Sequence, residues 1–296
     1  MRSFRTYHQV DDPAGAEVLA QVTAQAERLA ARMAGVQRVW LVASGKGGVG
    51  KSAVTANLAA ALAARGHAVG ALDADLNGPS LAAMLAAART PLRVDEAGVH
   101  PAAGVAGTRV MSTDLLLASP DAPLRWRGPD TGAFVWQSTL EAGALREFLS
   151  DVAWGELDHL LLDLPPGTDK LLRALELLPA PAGVLIVTTP STAALSVVRR
   201  SLRLVRDAGV ERIGVVANMA AWRCGACGAA TSLFDAGDDA VAALAAEMGV
   251  PVWAEVPFDP RLARRTDAGE PLVLSEPDTP AARALLALAD RLEGEP

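Results

Sequence analysis

The sequence predicts an α/β fold in which helices cover both faces of a mostly parallel β-sheet. Short apolar runs, Val39 to Ala43, Val69 to Leu72, His159 to Leu162, Val184 to Val187 and Ile213 to Ala217, lack the alternation of a half-exposed strand and so read as strands buried on both sides. Stretches of helical pattern separate them, and parallel neighbours need such crossovers. With 296 residues, 51% hydrophobic and 21% charged, the chain has material for one large core.

Val18, Val22, Leu29 and Met33 recur at helical spacing, so residues 1–37 read as an N-terminal helical extension and 38–296 as the main domain. The first strand runs into Ser44-Gly-Lys-Gly-Gly-Val-Gly-Lys-Ser52, followed by the helix-forming run Ala53 to Arg65, which Gly66 closes as a C-cap. Strand, glycine loop and helix in this order form a phosphate cradle. Gly45, Gly47, Gly48 and Gly50 let backbone N–H groups turn inward; Lys51 brings a charge to the terminal phosphates, Ser52 a hydroxyl to magnesium, and the helix start at Ala53 its dipole. Lys46 and Val49 complete the loop. The same glycines also satisfy the dinucleotide pattern G-x-G-x-x-G, with Asp73 near the place of a ribose acid. The Lys51-Ser52 pair decides for a P-loop NTPase, because a dinucleotide loop needs neither group.

Two further strands end in acids. Asp73 and Asp75, in Leu72-Asp-Ala-Asp-Leu-Asn-Gly-Pro-Ser80, alternate past the second strand and face the same way, toward magnesium or an attacking water; turn and cap formation is the bland alternative for Asp75. Leu160-Leu-Leu-Asp-Leu-Pro-Pro-Gly167 reads as a Walker B strand with Asp163 near magnesium, followed by a loop able to sense the γ-phosphate. Pro91 to Asp130, rich in proline and glycine, reads as an irregular excursion from the sheet.

The two cysteines, Cys224 and Cys227, form a single C-x-x-C. Two thiolates from one loop suit a redox pair, half of a zinc site or half of a cluster site. Zinc and cubane clusters commonly take four thiolates, which one chain does not supply and a homodimer does.

Lys46 adds a second lysine to the loop, and Gly45 to Ser52 then resembles the deviant Walker A motif of the MinD, ParA and nitrogenase iron-protein superfamily. In that group the equivalent lysine reaches the partner's phosphates across a dimer. The blocks Asp73 to Ser80, Trp126-Arg-Gly-Pro129, Trp154 to Asp158, Asp163 to Thr168, Val187 to Pro190, Asn218-Met219 with the C-x-x-C, and Val256 to Arg261 are similar, in order, to the Mrp/ApbC branch, the iron-sulfur cluster carriers. The resemblance implies an ATPase binding ATP and Mg2+, catalytic roles for Lys46, Lys51 and Asp75, and adenine framed by Asn218 and the Pro257 to Pro260 loop with Asp259. It also implies a cluster, 4Fe-4S, held by Cys224 and Cys227 of two protomers, and as partners a cluster donor and apo iron-sulfur recipients. Where the family continues Pro-Pro-Gly-Thr with Gly-Asp, this chain has Asp169-Lys170 after Thr168, which predicts slow hydrolysis.

A net charge of −7 gives no overall field for nucleic acid or an anionic membrane, so neither is expected as a partner. No apolar stretch nears the ~18 residues of a membrane span and the start lacks a signal core, so a cytoplasmic protein is expected. Two alternatives stay open: a positioning ATPase of the MinD or ParA type, disfavoured by the acidic end Asp290-Arg-Leu-Glu-Gly-Glu-Pro296, and an ATPase with a zinc-bridged dimer.

Overall fold

A computed structural model of the protein describes residues 13–76, 78–116, 143–178, 183–224, 226–237 and 239–294. The Trp126 to Pro129 block lies outside the described residues. In chain order the elements are α1 (Pro13–Met33), β1 (Val36–Ser44), α2 (Lys51–Ala64), β2 (Val69–Asp73) and α3 (Leu81–Met84). Four short strands follow: β3 (Val94–Asp95), β4 (Gly98–Val99), β5 (Ala102–Ala103) and β6 (Arg109–Met111). A helical stretch, α4 (143–151), leads to β7 (Leu157–Asp163), α5 (Thr168–Leu177), β8 (Gly183–Thr188) and α6 (Thr192–Asp207). The remainder is β9 (Ile213–Arg223), β10 (Ala230–Thr231), α7 (Ala240–Glu247), β11 (Val252–Phe258), α8 (Pro260–Asp267), α9 (Leu272–Ser275) and α10 (Pro280–Gly294).

The sheet is mostly parallel with β1 at its centre, between β7 and β8; β2 lies outside β7 and β9 outside β8. These are the five strands that the apolar runs predict. β11 extends the sheet in parallel beside β9, while β5 on β6 and β10 on β9 are antiparallel. The excursion after Pro91 contributes the β3–β4 hairpin and the outer strands β5 and β6.

Alternation along each strand divides the core in two. Leu41, Leu72, Leu160 and Leu162 face one cluster, which includes Leu171 of α5 and Val198 and Leu202 of α6; Trp40, Val42, Leu161 and Leu185 face the other, with Leu58 and Leu62 of α2 and Leu285 and Leu288 of α10. Each such side chain, fully buried, contributes about 1.5–3 kcal/mol from its apolar area. α2 is buried along most of its length, which fixes the phosphate loop at its start against the sheet.

At the opposite, amino edge of β7, His159 is fully buried and its Nδ1 accepts from Trp40 Nε1 at 3.2 Å. The ring of His67 meets it edge-on at 5.2 Å, and His67 reaches Glu293 of α10 at 3.1 Å. Burial and the neighbouring His67 charge push the His159 pKa down to about 4.

Candidate functional site

The carboxyl ends of β1, β2, β7 and β9 meet on one edge of the sheet, where an open α/β fold binds ligands. β1 delivers the glycine loop. Gly45 lies so close to α6 that a Cβ there would stand 2.7 Å from the Val197 side chain. Gly48 and Gly50 adopt left-handed backbone, φ 78° and 81°, which only glycine enters without strain. The loop, with Asp75, Pro166 and Met219, lines a cavity of about 340 Å³ that includes Lys46, Gly47, Gly48, Val49, Gly50, Lys51, Ser52 and Ala53. Lys46 is exposed at this cavity.

Behind the loop Lys51 is buried, its Nζ 2.7 Å from Asp163 Oδ1. Ser52 Oγ donates to Asp163 Oδ2 at 2.5 Å and Thr55 Oγ1 to Oδ1 at 2.9 Å. Three side chains of α2 therefore hold the one carboxylate that ends β7. Ser52 and Asp163 place a hydroxyl and a carboxylate oxygen side by side, the hard-oxygen pair that suits magnesium. Thr55 was not among the residues the motif singles out, although its place four residues after Lys51, one turn along the same helix, is a signal for it.

Asp73 pairs in register with Asp163 across the two strands. Its carboxylate accepts from the amides of Asp75 at 3.0 Å, Ser80 at 2.8 Å and Leu81 at 2.9 Å. Burial and the charge of Asp163 nevertheless push its pKa up to about 7, against the pull of those amides. Asp75 lines the cavity instead, and its Oδ1 accepts from the Gly78 amide at 3.2 Å.

β9 continues past its pairing with β8, which ends at Ala217, and leads to the cysteines. Asn218 is buried, and its Nδ2 donates to the Val49 carbonyl at 2.8 Å, a contact that nothing in the sequence announces. Cys224 is half-buried and Cys227 exposed. The Cys224 amide donates to Ala229 O at 2.9 Å and the Gly228 amide to Cys224 O at 2.8 Å, closing a tight turn. The amides of Cys227 and Ala226, then the Cys227 side chain, hydrogen-bond Cys224 and hold its thiol below the usual range, which favours the metal-binding thiolate. Among the described residues no cluster of three or more His, Cys, Asp or Glu side chains is arranged to hold a metal, so the turn itself brings two thiolates.

Pro257 and Asp259 line a second cavity of about 530 Å³, together with Trp222, Phe258 and Cys224, apart from the phosphate loop. Asp259 caps α8 by accepting from the Arg261 amide at 2.9 Å, and its carboxylate is gripped by the Arg261 guanidinium at 2.8 Å. Burial pushes the Asp259 pKa up, but the Arg261 contacts outweigh it and hold the carboxyl below its usual range. The structure thus brings the loop, Asp75 and Asp163 to one place, and Pro257, Asp259 and Cys224 to a neighbouring one, with Asn218 on the strand between.

The family model described as NUBPL iron-transfer P-loop NTPase matches residues 35–293. The chain belongs to this family. Within the NUBPL-type iron-transfer NTPases and their kin, it is 41% identical to an iron-sulfur cluster carrier protein of Saccharolobus solfataricus, over 85% of this chain and 81% of that one. It is 40% identical to the human cytosolic Fe-S cluster assembly factor NUBP2, over 88% and 93%. Among solved structures, a nucleotide-binding protein of Archaeoglobus fulgidus in complex with ADP superposes with a TM-score of 0.69 at 34% identity, covering 86% of this chain and 94% of that one. MinD of Pyrococcus furiosus, at 23% identity and a TM-score of 0.57, shares the fold. This chain is therefore a P-loop NTPase of the iron-sulfur cluster carrier and assembly-factor family, with the predicted α/β architecture.

Proposed function

We propose that the protein binds and slowly hydrolyses ATP and carries an iron-sulfur cluster between two copies of itself, receiving it from a donor and passing it to apo recipients in the cytoplasm. The cluster is cargo. The observation that carries this reading is the cysteine turn: two thiolates, one of them amide-stabilised, with no third ligand among the described residues. Four soft ligands then require a second copy, and a two-fold axis supplies the same pair again.

In this reading the amides of Gly45 to Ala53 cradle the phosphates, and Lys51 leaves Asp163 to meet the β- and γ-phosphates. Ser52 and Asp163 would hold magnesium, which when bound neutralises charge on the phosphate oxygens. Asp75 orients a water toward the γ-phosphorus; the P–O bond to that water forms as the bond to ADP breaks. Lys46, exposed at the cavity, reaches the partner's phosphates. Asn218, Pro257 and Asp259 frame the adenine.

The test is anaerobic reconstitution with iron and sulfide, with iron, sulfide and zinc assayed on each species separated by size. One cluster per dimer is expected, and either Cys224→Ser or Cys227→Ser should remove it. A cluster on a persistent monomer overturns the bridging; zinc without sulfide points to the structural alternative.

A further inference from the structure

We propose that Asn218 and Met219 form a transmission element through which the phosphate loop sets the posture of the cysteine turn, Asn218 acting as the positioning residue for the loop's Gly50 amide. This rests on the reading above, that the loop binds ATP and the cysteines hold the cargo. Asn218 Nδ2 holds the Val49 carbonyl at 2.8 Å. The peptide that joins Val49 to Gly50 is planar and trans, so fixing its C=O on the Asn218 side turns its N–H to the opposite side. The contact is close: a Cβ on Gly50 would stand 2.3 Å from Asn218 Nδ2. A shift of the loop backbone is therefore felt by Asn218 directly.

The next residue gives the strand a pivot. Met219 has φ 54°, left-handed backbone that a methionine enters at a cost, inside a β-strand. It also lines the phosphate cavity, with its Cε beside Gly50. Pairing of β9 with β8 stops at Ala217, and the register with β11 shifts between Val256 and Phe258, the partners of Asn218 and Trp222. β9 is thus paired with β8 and β11 up to Ala217, turns through left-handed backbone at Met219, and continues as an arm paired with β11 at Trp222 and with β10 at Trp222 and Arg223, where Cys224 follows.

Asn218 Oδ1 is buried with no hydrogen-bond partner among the described residues, so the amide is satisfied on one side only. A half-satisfied amide beside a strained residue makes this the place where β9 has least to lose when the loop backbone moves. The arm also forms a wall of the cavity that Cys224 shares with Pro257 and Asp259, so its movement reaches the thiolate from two sides.

The test uses the full chain, free of metal, and follows alkylation of Cys224 and Cys227 by iodoacetamide with and without Mg-ATP, binding being measured in parallel by calorimetry. In the wild type, saturating ATP is expected to change the alkylation rate about fivefold or more, the scale of a typical coupling. In Asn218→Ala and in Met219→Gly, each at its own saturating ATP, the response should fall below about twofold. General loss of stability is read separately from the denaturant midpoint of each variant with and without ATP, and rates are compared only where the unfolded fraction is negligible. A wild type that binds ATP with no change at the thiols, or a full response in Met219→Gly, overturns the coupling alone. A wild type that binds no ATP overturns the nucleotide reading, and the coupling with it.

Discussion

Two lysines of one loop stand in opposite environments. Lys51 is buried against Asp163, and Lys46 is exposed. Lys51→Ala is expected to abolish ATP binding in calorimetry and to lower the unfolding free energy by about 3 kcal/mol, since Asp163 stays buried without its cation. Lys46→Ala should keep ATP binding and lower the hydrolysis rate about a hundredfold, the scale of one lost transition-state contact. Equal loss of binding in both would remove the trans-acting role from Lys46. For Asp75→Asn, ATP affinity should persist while phosphate release slows by a similar factor; unchanged turnover would leave Asp75 as the turn residue that its contact with Gly78 also describes. At this scale the sequence was most legible where chemistry needs fixed spacing, as from Gly45 to Ser52. It was silent on the contact between Asn218 and Val49, which are 169 positions apart and meet only through the fold.

Among the elements, β7 carries function at one end and a structural sensor at the other. His159, at its start, is buried neutral with a pKa of about 4, below the value near 6.5 of an unfolded chain. Between those values the unfolded state binds the extra proton, so stability is whole above about 6.5 and is lost as pH falls toward 4. His159→Gln, which keeps an acceptor for Trp40, should flatten that slope by on the order of 2 kcal/mol across the window, read from denaturant midpoints at several pH values. A slope equal to the wild type would assign acid sensitivity elsewhere. The five central strands were legible because they are buried on both faces. β11 was not: Val252-Trp-Ala-Glu-Val-Pro-Phe258 is half-exposed, with Glu255 and Pro257 breaking the run, and it is a strand because Trp253 packs on Gly214 and β9 is available to pair. The outer half of β9 was hidden for the same reason, its last residues being exposed.

For the whole molecule, the proposed roles of Lys46 and the cysteines meet on one two-fold axis, so ATP should drive self-association. Sedimentation of the metal-free chain should show a monomer shifting toward a dimer with Mg-ATP, and Lys46→Ala should shift less; a mass unaffected by nucleotide would detach the two sites. The place of the phosphate site was legible because the glycine loop and two acids each close an apolar strand run, whereas the strand order and the route to the cysteines depended on pairing and on how far β9 extends. In the reading proposed above the Cys224 thiol and the phosphate loop share a construction, backbone N–H groups turned toward a place for negative charge, which for the thiol are the amides of Cys227 and Ala226. Amides come with every residue except proline, so a non-proline substitution preserves such donors where the chain keeps its left-handed Gly48, Gly50 and Gly228 and where, unlike at Gly45, a side chain has room. In that reading the two anion seats are written in backbone rather than in side chains, and what they ask of the sequence is a few glycines and the absence of proline.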